Sequence, residues 1–187
     1  ADYADNPGAG AYGDSTALLK ALLDSNIKNA CFGPLVDPLA VSELQSHKLG
    51  TQVGINIGGK VEPKMGGGPL QVNAQIIWQG NGLVVGTGPM IAGLHKNFGD
   101  CVVLKIQDIE VLLVSVAQQM LDLNQFQTFG IDPRGKTVVA LKSMQHFRAA
   151  FEPIAGSIIV CDSGALCTVN YKALNYKKVP RPIYPLD

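Results

Sequence analysis

A glycine-rich stretch near the start of the chain is the first place where residue types and spacing could do chemistry. Gly8, Gly10 and Gly13 form a Gly-x-Gly-x-x-Gly pattern that runs directly into a leucine-rich helical pattern. Such a loop can bind a phosphate, because its backbone N–H groups and the start of the following helix attract an anion. Asp5 and Asp14 place carboxylates at both ends of this loop, and these would repel a phosphate. Phosphate or nucleotide binding is therefore an alternative that the pattern allows without favouring.

A second polar cluster lies at a predicted strand-to-helix turn, Lys142–Arg148. The pattern predicts Ser143 as the N-cap of a helix from about Met144 to Phe151, with His146 in its first turn. A hydroxyl, an imidazole and backbone donors at a helix start suit a carboxylate or a developing oxyanion. Helix capping alone also explains these residues. Ser143 is not predicted to be a serine-hydrolase nucleophile, because the G-x-S-x-G motif is missing.

The metal-binding residue types are sparse and scattered. The chain has 3 histidines and 4 cysteines, without H-E-x-x-H or C-x-x-C spacing. His47 lies near a predicted helix end and His95 in a glycine-rich region, so no zinc site is predicted within this chain. The cysteines are expected to be reduced and structural.

The elements that position these residues alternate between strands and helices at both ends of the chain. A helix is predicted at about Ser15–Ser25, followed by a strand at 29–36 and a helix that Asp37 caps, with Pro38 at its first position, through about His47. Between about 51 and 117, glycine clusters separate short β-rich runs, which predict a β-rich insertion or subdomain. A short helix near Asn124–Phe129, strands at Thr137–Leu141 and Ile158–Cys161, and an extended proline-rich tail complete the pattern.

This alternation predicts an α/β fold with a mixed, largely parallel sheet, flanking helices and the β-rich insertion at about 51–117. In parallel sheets, ligands bind beyond the carboxyl ends of the strands. That rule selects the Asp5–Ser15 loop, Asp37, the Lys142–His146 turn, and Asp162 with Ser163. The sequence therefore predicts that these loops meet at one rim of the sheet.

Composition excludes several partners. Of the 187 residues, 15 are basic and 15 acidic, and no basic stripe predicts nucleic-acid binding. The longest apolar runs are far shorter than the roughly 20 residues that cross a bilayer, so no membrane partner is expected. The first residues lack the features of a secretory signal, so we expect a cytoplasmic protein.

Several motifs in one order resemble the C-terminal domain of the MlrC family. They are D-N-P-G-x-G-x-x-G-D-S-T at Asp5–Thr16, D-P at Asp37, G-G-K at Gly58–Lys60, F-x-x-x-G-I-D-P at Phe126–Pro133, K-S-x-x-H-F-R-A-A-F at Lys142–Phe151 and R-P-I-Y-P-L-D at Arg181–Asp187. Two positions depart from the family pattern. Gly8-Ala9-Gly10 replaces a triple glycine, and Ser163-Gly164 replaces Pro-Gly in the Asp162 loop.

The resemblance implies a bacterial two-domain zinc-dependent hydrolase, named after a metallopeptidase that cleaves linearised microcystin. A larger preceding domain would hold the zinc ligands, and this domain, inactive alone, would contribute contacts to a peptide or other amide substrate. The residues that match family motifs and could face the cleft are Asp5, Asn6, Asp14, Ser15, Lys142, Ser143, His146 and Arg148. Two alternatives stay open: a purely structural or homo-oligomerisation module, and a phosphate-binding domain that uses the glycine loop.

Overall fold

The computed structural model describes residues 1–187 and contains one six-stranded mixed sheet in the order β2-β3-β4-β5-β1-β6. The strands are β1 (Ala30–Val36), β2 (Gln52–Ile57), β3 (Leu70–Val85), β4 (His95–Ile106), β5 (Ile109–Val114) and β6 (Val138–Leu141). β1 pairs in parallel with β5 and β6, whereas the β2-β3, β3-β4 and β4-β5 pairs are antiparallel. The α/β class and the mixed sheet are confirmed, but antiparallel pairs outnumber parallel ones because the whole 51–117 stretch joins the same sheet.

Helices cover both faces of this sheet. They are α1 (Ala17–Asp24), α2 (Pro38–Gln45), α3 (Asn124–Gln127) and α4 (Arg148–Phe151), with 3-10 turns at Pro7–Ala9, Pro133–Gly135, Glu152–Ile154 and Tyr171–Ala173. None of the helices combines the length and apolar character needed to cross a membrane.

The hydrophobic core consists of two clusters that alternate residues along the central strands. On β5, Val111 and Leu113 belong to the cluster that packs against α1 and α2. Their neighbours Leu112 and Val114 belong to the cluster that packs against α3 and α4. Successive strand residues point to opposite faces, so the two clusters lie on opposite sides of the sheet. The resulting three-layer arrangement buries β1 and β5 on both faces, as parallel strands require.

The predicted helix at Met144–Phe151 is wrong in its first half. The chain makes turns from Ser143 onward, and α4 begins only at Arg148, with Phe147 rather than Ser143 at the N-cap position. The last strand is likewise shorter than predicted, since Cys161 makes only a single bridge, to Asp2. By contrast, Asp37 caps α2 as predicted, with its carboxylate accepting from Ala40 N at 3.0 Å.

Candidate functional site at the ends of the parallel strands

Lys142 is the buried centre of the predicted rim. It follows β6 directly, is fully buried, and its Nζ forms an ion pair with the Asp5 carboxylate. The same Nζ donates to the backbone oxygen of Ser15 at 2.8 Å and lies 5.6 Å from the centre of the Phe32 ring. A buried ammonium is tolerated only with such partners, because leaving water is costly for a charge. Lys142 thereby joins the end of β6 to both ends of the glycine loop.

Asp5 closes the glycine loop on itself. Its carboxylate accepts from Gly13 N at 2.9 Å and from Ser15 N at 2.8 Å. The other two glycine N–H groups are also used internally: Gly8 N donates to the Asn6 side chain at 3.0 Å, and Gly10 N to Pro7 O at 3.1 Å. The glycine N–H groups that a phosphate would require are therefore occupied by the chain's own oxygens, which argues against the phosphate-binding alternative.

Asp14 and Asp37 fix a second loop over the end of β1. Asp14 accepts from the backbone N–H groups of Lys60 and Val61, both at 2.9 Å. Asp37 accepts from Gly58 N at 2.9 Å, and its carboxylate lies 2.7 Å from Lys60 Nζ. Both carboxylates are buried, so the Gly58–Val61 turn is held by charge-assisted hydrogen bonds. These acidic residues order loops and leave few lone pairs for an external ligand.

Ser143, Gln119 and His146 form the part of the rim that approaches solvent. Gln119 Nε2 donates to Ser143 Oγ at 3.0 Å and lies 3.5 Å from His146 Nδ1. Ser143 is buried, whereas His146 is exposed. The Gln119 side chain also packs against Gly8, where an added Cβ would lie 2.1 Å from its Oε1. One amide thus connects the glycine loop with Ser143 and His146 of the Lys142–Arg148 turn.

Arg148 lies apart from this group. Its Nε donates to Gln145 Oε1 at 2.9 Å, and its guanidinium lies over the Phe147 ring and 3.8 Å from Glu152. All of these partners belong to α4 and the turns around it. The structure therefore brings together seven of the eight predicted residues, directly or through Gln119 and the glycine loop, and leaves Arg148 on a helix surface.

The Asp162 loop contacts the rim from its other side. Asp162 accepts from Tyr3 Oη at 2.7 Å, Thr168 Oγ1 at 2.5 Å and Gly164 N at 2.8 Å. Burial alone would raise the pKa of Asp162, but these hydrogen bonds outweigh it and hold the pKa below its ordinary value. Ser163 Oγ lies 3.3 Å from Ser15 Oγ, so the loop joins the predicted cluster despite its departure from the family pattern.

Asp2 is a buried acidic residue that the sequence does not single out. It is fully buried, bridges Lys142 directly after β6 and also Cys161, and neither of its carboxylate oxygens makes a hydrogen bond. Burial raises the pKa of Asp2, and the Lys142 charge opposes the rise. Ser163 is close enough to lower the pKa of Asp2 as well. None of its donors, however, meets the geometry of a hydrogen bond to the Asp2 carboxylate. Asp2 is thus the least compensated charge of the rim.

Gln119 is also absent from the predicted set. It follows β5, whose carboxyl end lies beside that of β1 because the two strands are parallel. The strand-end rule would have selected it if β5 had been recognised as a partner of β1 rather than as part of an insertion.

The donor set of this chain does not fit a bound metal. No group of three or more His, Cys, Asp or Glu side chains is arranged to hold an ion. All four cysteines are free, and burial raises the pKa of Cys31 and Cys101 to about 12, so both stay protonated thiols at neutral pH. No metal-binding role can therefore be assigned to these side chains.

The fold and the rim together define an α/β domain whose polar loops gather at the carboxyl ends of parallel strands. Comparison with known proteins gives the family. Residues 1–178 match the family model described as MlrC C-terminus, and the chain belongs to this family, as its motifs indicate.

Two relatives extend the comparison. The chain is 31% identical over 186 residues to Microcystinase C from Sphingomonas sp, a match that covers 100% of this chain and 35% of that protein. It also resembles a crystal structure named "Putative metallopeptidase" from Mesorhizobium sp. BNC1, with a TM-score of 0.88 and 23% identity, over 100% of this chain and 37% of the other. The chain thus spans about a third of the length of the proteins it matches.

Proposed function

We propose that this chain is the C-terminal domain of a zinc-dependent hydrolase of the peptidase type. The zinc ligands would lie in a preceding domain, and the rim of this chain would contribute contacts to a peptide or other amide substrate. The name of the Sphingomonas relative and its greater length support this proposal, as does the lack of a metal-binding cluster here. A zinc ion bound elsewhere in the full-length protein would supply Lewis acidity and an activated water.

The observation that carries the proposal is the Gln119 bridge between Ser143 and His146. Hydroxyl, amide and imidazole groups donate and accept hydrogen bonds, which suits the carbonyl or carboxylate groups of a peptide. His146 is exposed and can reach a substrate directly. Ser143 is buried and would do so through a small movement of the Gln119 side chain.

The other predicted residues would act through position. Asp5, Asp14, Ser15 and Lys142 are buried and hydrogen-bonded to loop backbone. Asn6 fixes the first turn of the glycine loop through Gly8 N. In this proposal they fix the positions of the loops at the rim. The exposed donors then need little reorganisation when a substrate binds.

The test uses the full-length protein loaded with zinc and a panel of unstructured peptides. We expect Ser143→Ala and His146→Ala each to lower kcat/KM by about tenfold, the loss of one hydrogen bond to substrate. Zinc content should stay unchanged, because neither residue is a ligand. His95→Ala, which removes an exposed histidine of the β3-β4 hairpin that is outside the predicted set, is the matched control.

Wild-type kinetics in both rim variants would remove these residues from the site. That result would favour the structural alternative, in which the rim residues only hold the loops in place and do not contact a substrate. Loss of zinc in either variant would contradict the placement of all metal ligands in the preceding domain.

A further inference from the structure

An apolar groove runs along the outer edge of β6. Its volume is about 480 Å³, and most of its lining residues are hydrophobic. They include Leu18, Leu22, Val139, Phe147, Phe151 and Ile158. Val138 and Val139 are only half-buried, although β1 beside them is buried almost throughout.

At one end of the groove, residues 1–3 lie as a short strand between two backbone edges, the end of β6 and the segment 159–161. Asp2 N donates to Leu141 O at 2.9 Å on the β6 side. On the opposite side, Ala1 N donates to Ile159 O at 2.7 Å, and Cys161 N donates to Ala1 O at 2.9 Å. Both bridges of Asp2 are parallel.

The register identifies which peptide groups face the empty part. Backbone groups alternate sides along a strand, so Val139 presents its N–H and C=O on the same side as Leu141. That side is away from β1 and towards the groove. On the opposite wall, the same alternation extended back from Cys161 would bring the N–H of Ile159 and the C=O of Ser157 to the groove. A strand in the groove would satisfy these groups on both sides.

Side chains close the groove above and below. Leu18 and Leu22 of α1 pack with the cluster on one face of the sheet. Phe147 and Phe151 belong to the cluster on the other face. A strand between them would be buried on both faces, and such strands are apolar at nearly every position.

We propose that the residues directly preceding Ala1 in the full-length protein fill this groove as a strand parallel to β6. The strand would be about as long as β6, which has 4 residues, and would be apolar on both faces. This inference rests on the proposed two-domain protein, whose relatives are nearly three times the length of this chain. The strand would connect the preceding domain to the sheet and would lead directly into Asp2 and the Lys142 rim.

Hydrogen exchange of the full-length protein, read at single amides, tests the groove without substrate. We expect the Val139, Leu141 and Ile159 amides to exchange at least about 100-fold more slowly than in an unstructured peptide. Rates within about tenfold of the unstructured value would overturn the proposal. So would protection that appears only after peptide is added, or only at high protein concentration, since a substrate or a second copy would then be the occupant.

A pair of variants in the same protein separates strand insertion from a loose cover. Leu22→Glu places a charge against the strand and should lower Tm by several degrees and speed exchange at Val139 about tenfold or more. Ala21→Glu, its exposed neighbour on α1, should change neither. Equal effects of the two variants would contradict a buried strand.

The groove and the hydrolase proposal fail separately. Protected amides in a protein without zinc or peptidase activity would remove the proposed function and keep the strand. Unprotected amides in an active zinc enzyme would remove the strand and keep the proposed function.

Discussion

The parallel and antiparallel parts of the sheet bury different kinds of residue. Around the ends of β1, β6 and residues 1–3, the buried set includes four aspartates, a lysine and serines, namely Asp2, Asp5, Asp14, Asp37, Lys142, Ser15 and Ser143. In the antiparallel strands β2, β3 and β4, the fully buried side chains are apolar, and Asn, Gln and Lys point outward. The hydrogen bonds of the first group end mainly on loop backbone. The buried polar residues therefore position the loops at the ends of the parallel strands, and the buried apolar residues of the antiparallel strands stabilise the sheet.

The largest effect is expected from Lys142→Met. The change keeps the side chain's length but leaves the buried Asp5 carboxylate without its cation, which should cost about 3–5 kcal/mol of unfolding free energy. Urea denaturation at neutral pH measures the loss. Lys20→Met is the control, because the Lys20–Asp24 pair is exposed and should contribute less than about 1 kcal/mol. Similar losses in the two variants would show that the rim pair is no stronger than a surface pair.

Leu104→Ala tests the antiparallel region. Leu104 on β4 is fully buried, so its truncation should cost about 2–5 kcal/mol through lost burial and a cavity. Because no charge is involved, the loss measured by urea denaturation should be the same at pH 5 and pH 8. A pH-dependent loss would mean that the polar and apolar regions are coupled, against the division described above.

A smaller loss is expected when a loop anchor is removed. Asp14→Ala leaves the N–H groups of Lys60 and Val61 without their acceptor, at a cost of about 1–3 kcal/mol. Asp14→Asn retains one carbonyl oxygen that can accept both bonds and should recover much of the stability. Thermal unfolding of both variants decides the point, and no recovery in the asparagine variant would show that the negative charge itself is required.

The smallest effect is expected at Asp2, where substitution should raise the free energy of unfolding rather than lower it. Burial raises the pKa of Asp2, so its contribution to stability is present below its ordinary pKa and is lost as pH rises through the raised value. Asp2→Asn should therefore be more stable than the wild type at pH 7, by about 1 kcal/mol, with the gain vanishing in acid.

Asp162→Asn is the matched comparison for this pH dependence. The lowered pKa of Asp162 contributes stability above its ordinary value, which is lost as pH falls through the folded pKa. This variant should be less stable than the wild type at pH 7 and should approach it in acid. Urea midpoints between pH 3 and pH 8 measure both variants, and parallel pH curves would refute the assigned signs.

The sequence predicts best what depends on neighbours along the chain. The strand predicted at 29–36 corresponds to β1 (Ala30–Val36), and Asp37 caps α2 as its Asp-Pro pair indicates. The local capping pattern at Ser143 predicts a helix from about Met144 to Phe151. The chain instead makes turns as far as Phe147, and Gln119 contacts Ser143 and His146 in this segment.

Pairings between distant segments were harder to predict. Nothing local in β5 distinguishes a parallel from an antiparallel partner, and β5 has one of each. As a result the rim residue Gln119 was missed, although its position after a strand is the same signal that identified Lys142. Asp2 was missed for a similar reason, because its burial depends on segments at 142 and 161.

The contact between Gly8 and Gln119 also constrains how this family can vary. A methyl group at position 8 would collide with the Gln119 side chain and force the amide away from Ser143. Substitutions at these two positions should therefore occur together, with a larger residue at one accompanied by a shorter residue at the other. Homologues that keep the glycine and the glutamine as a pair would be those that retain the same rim.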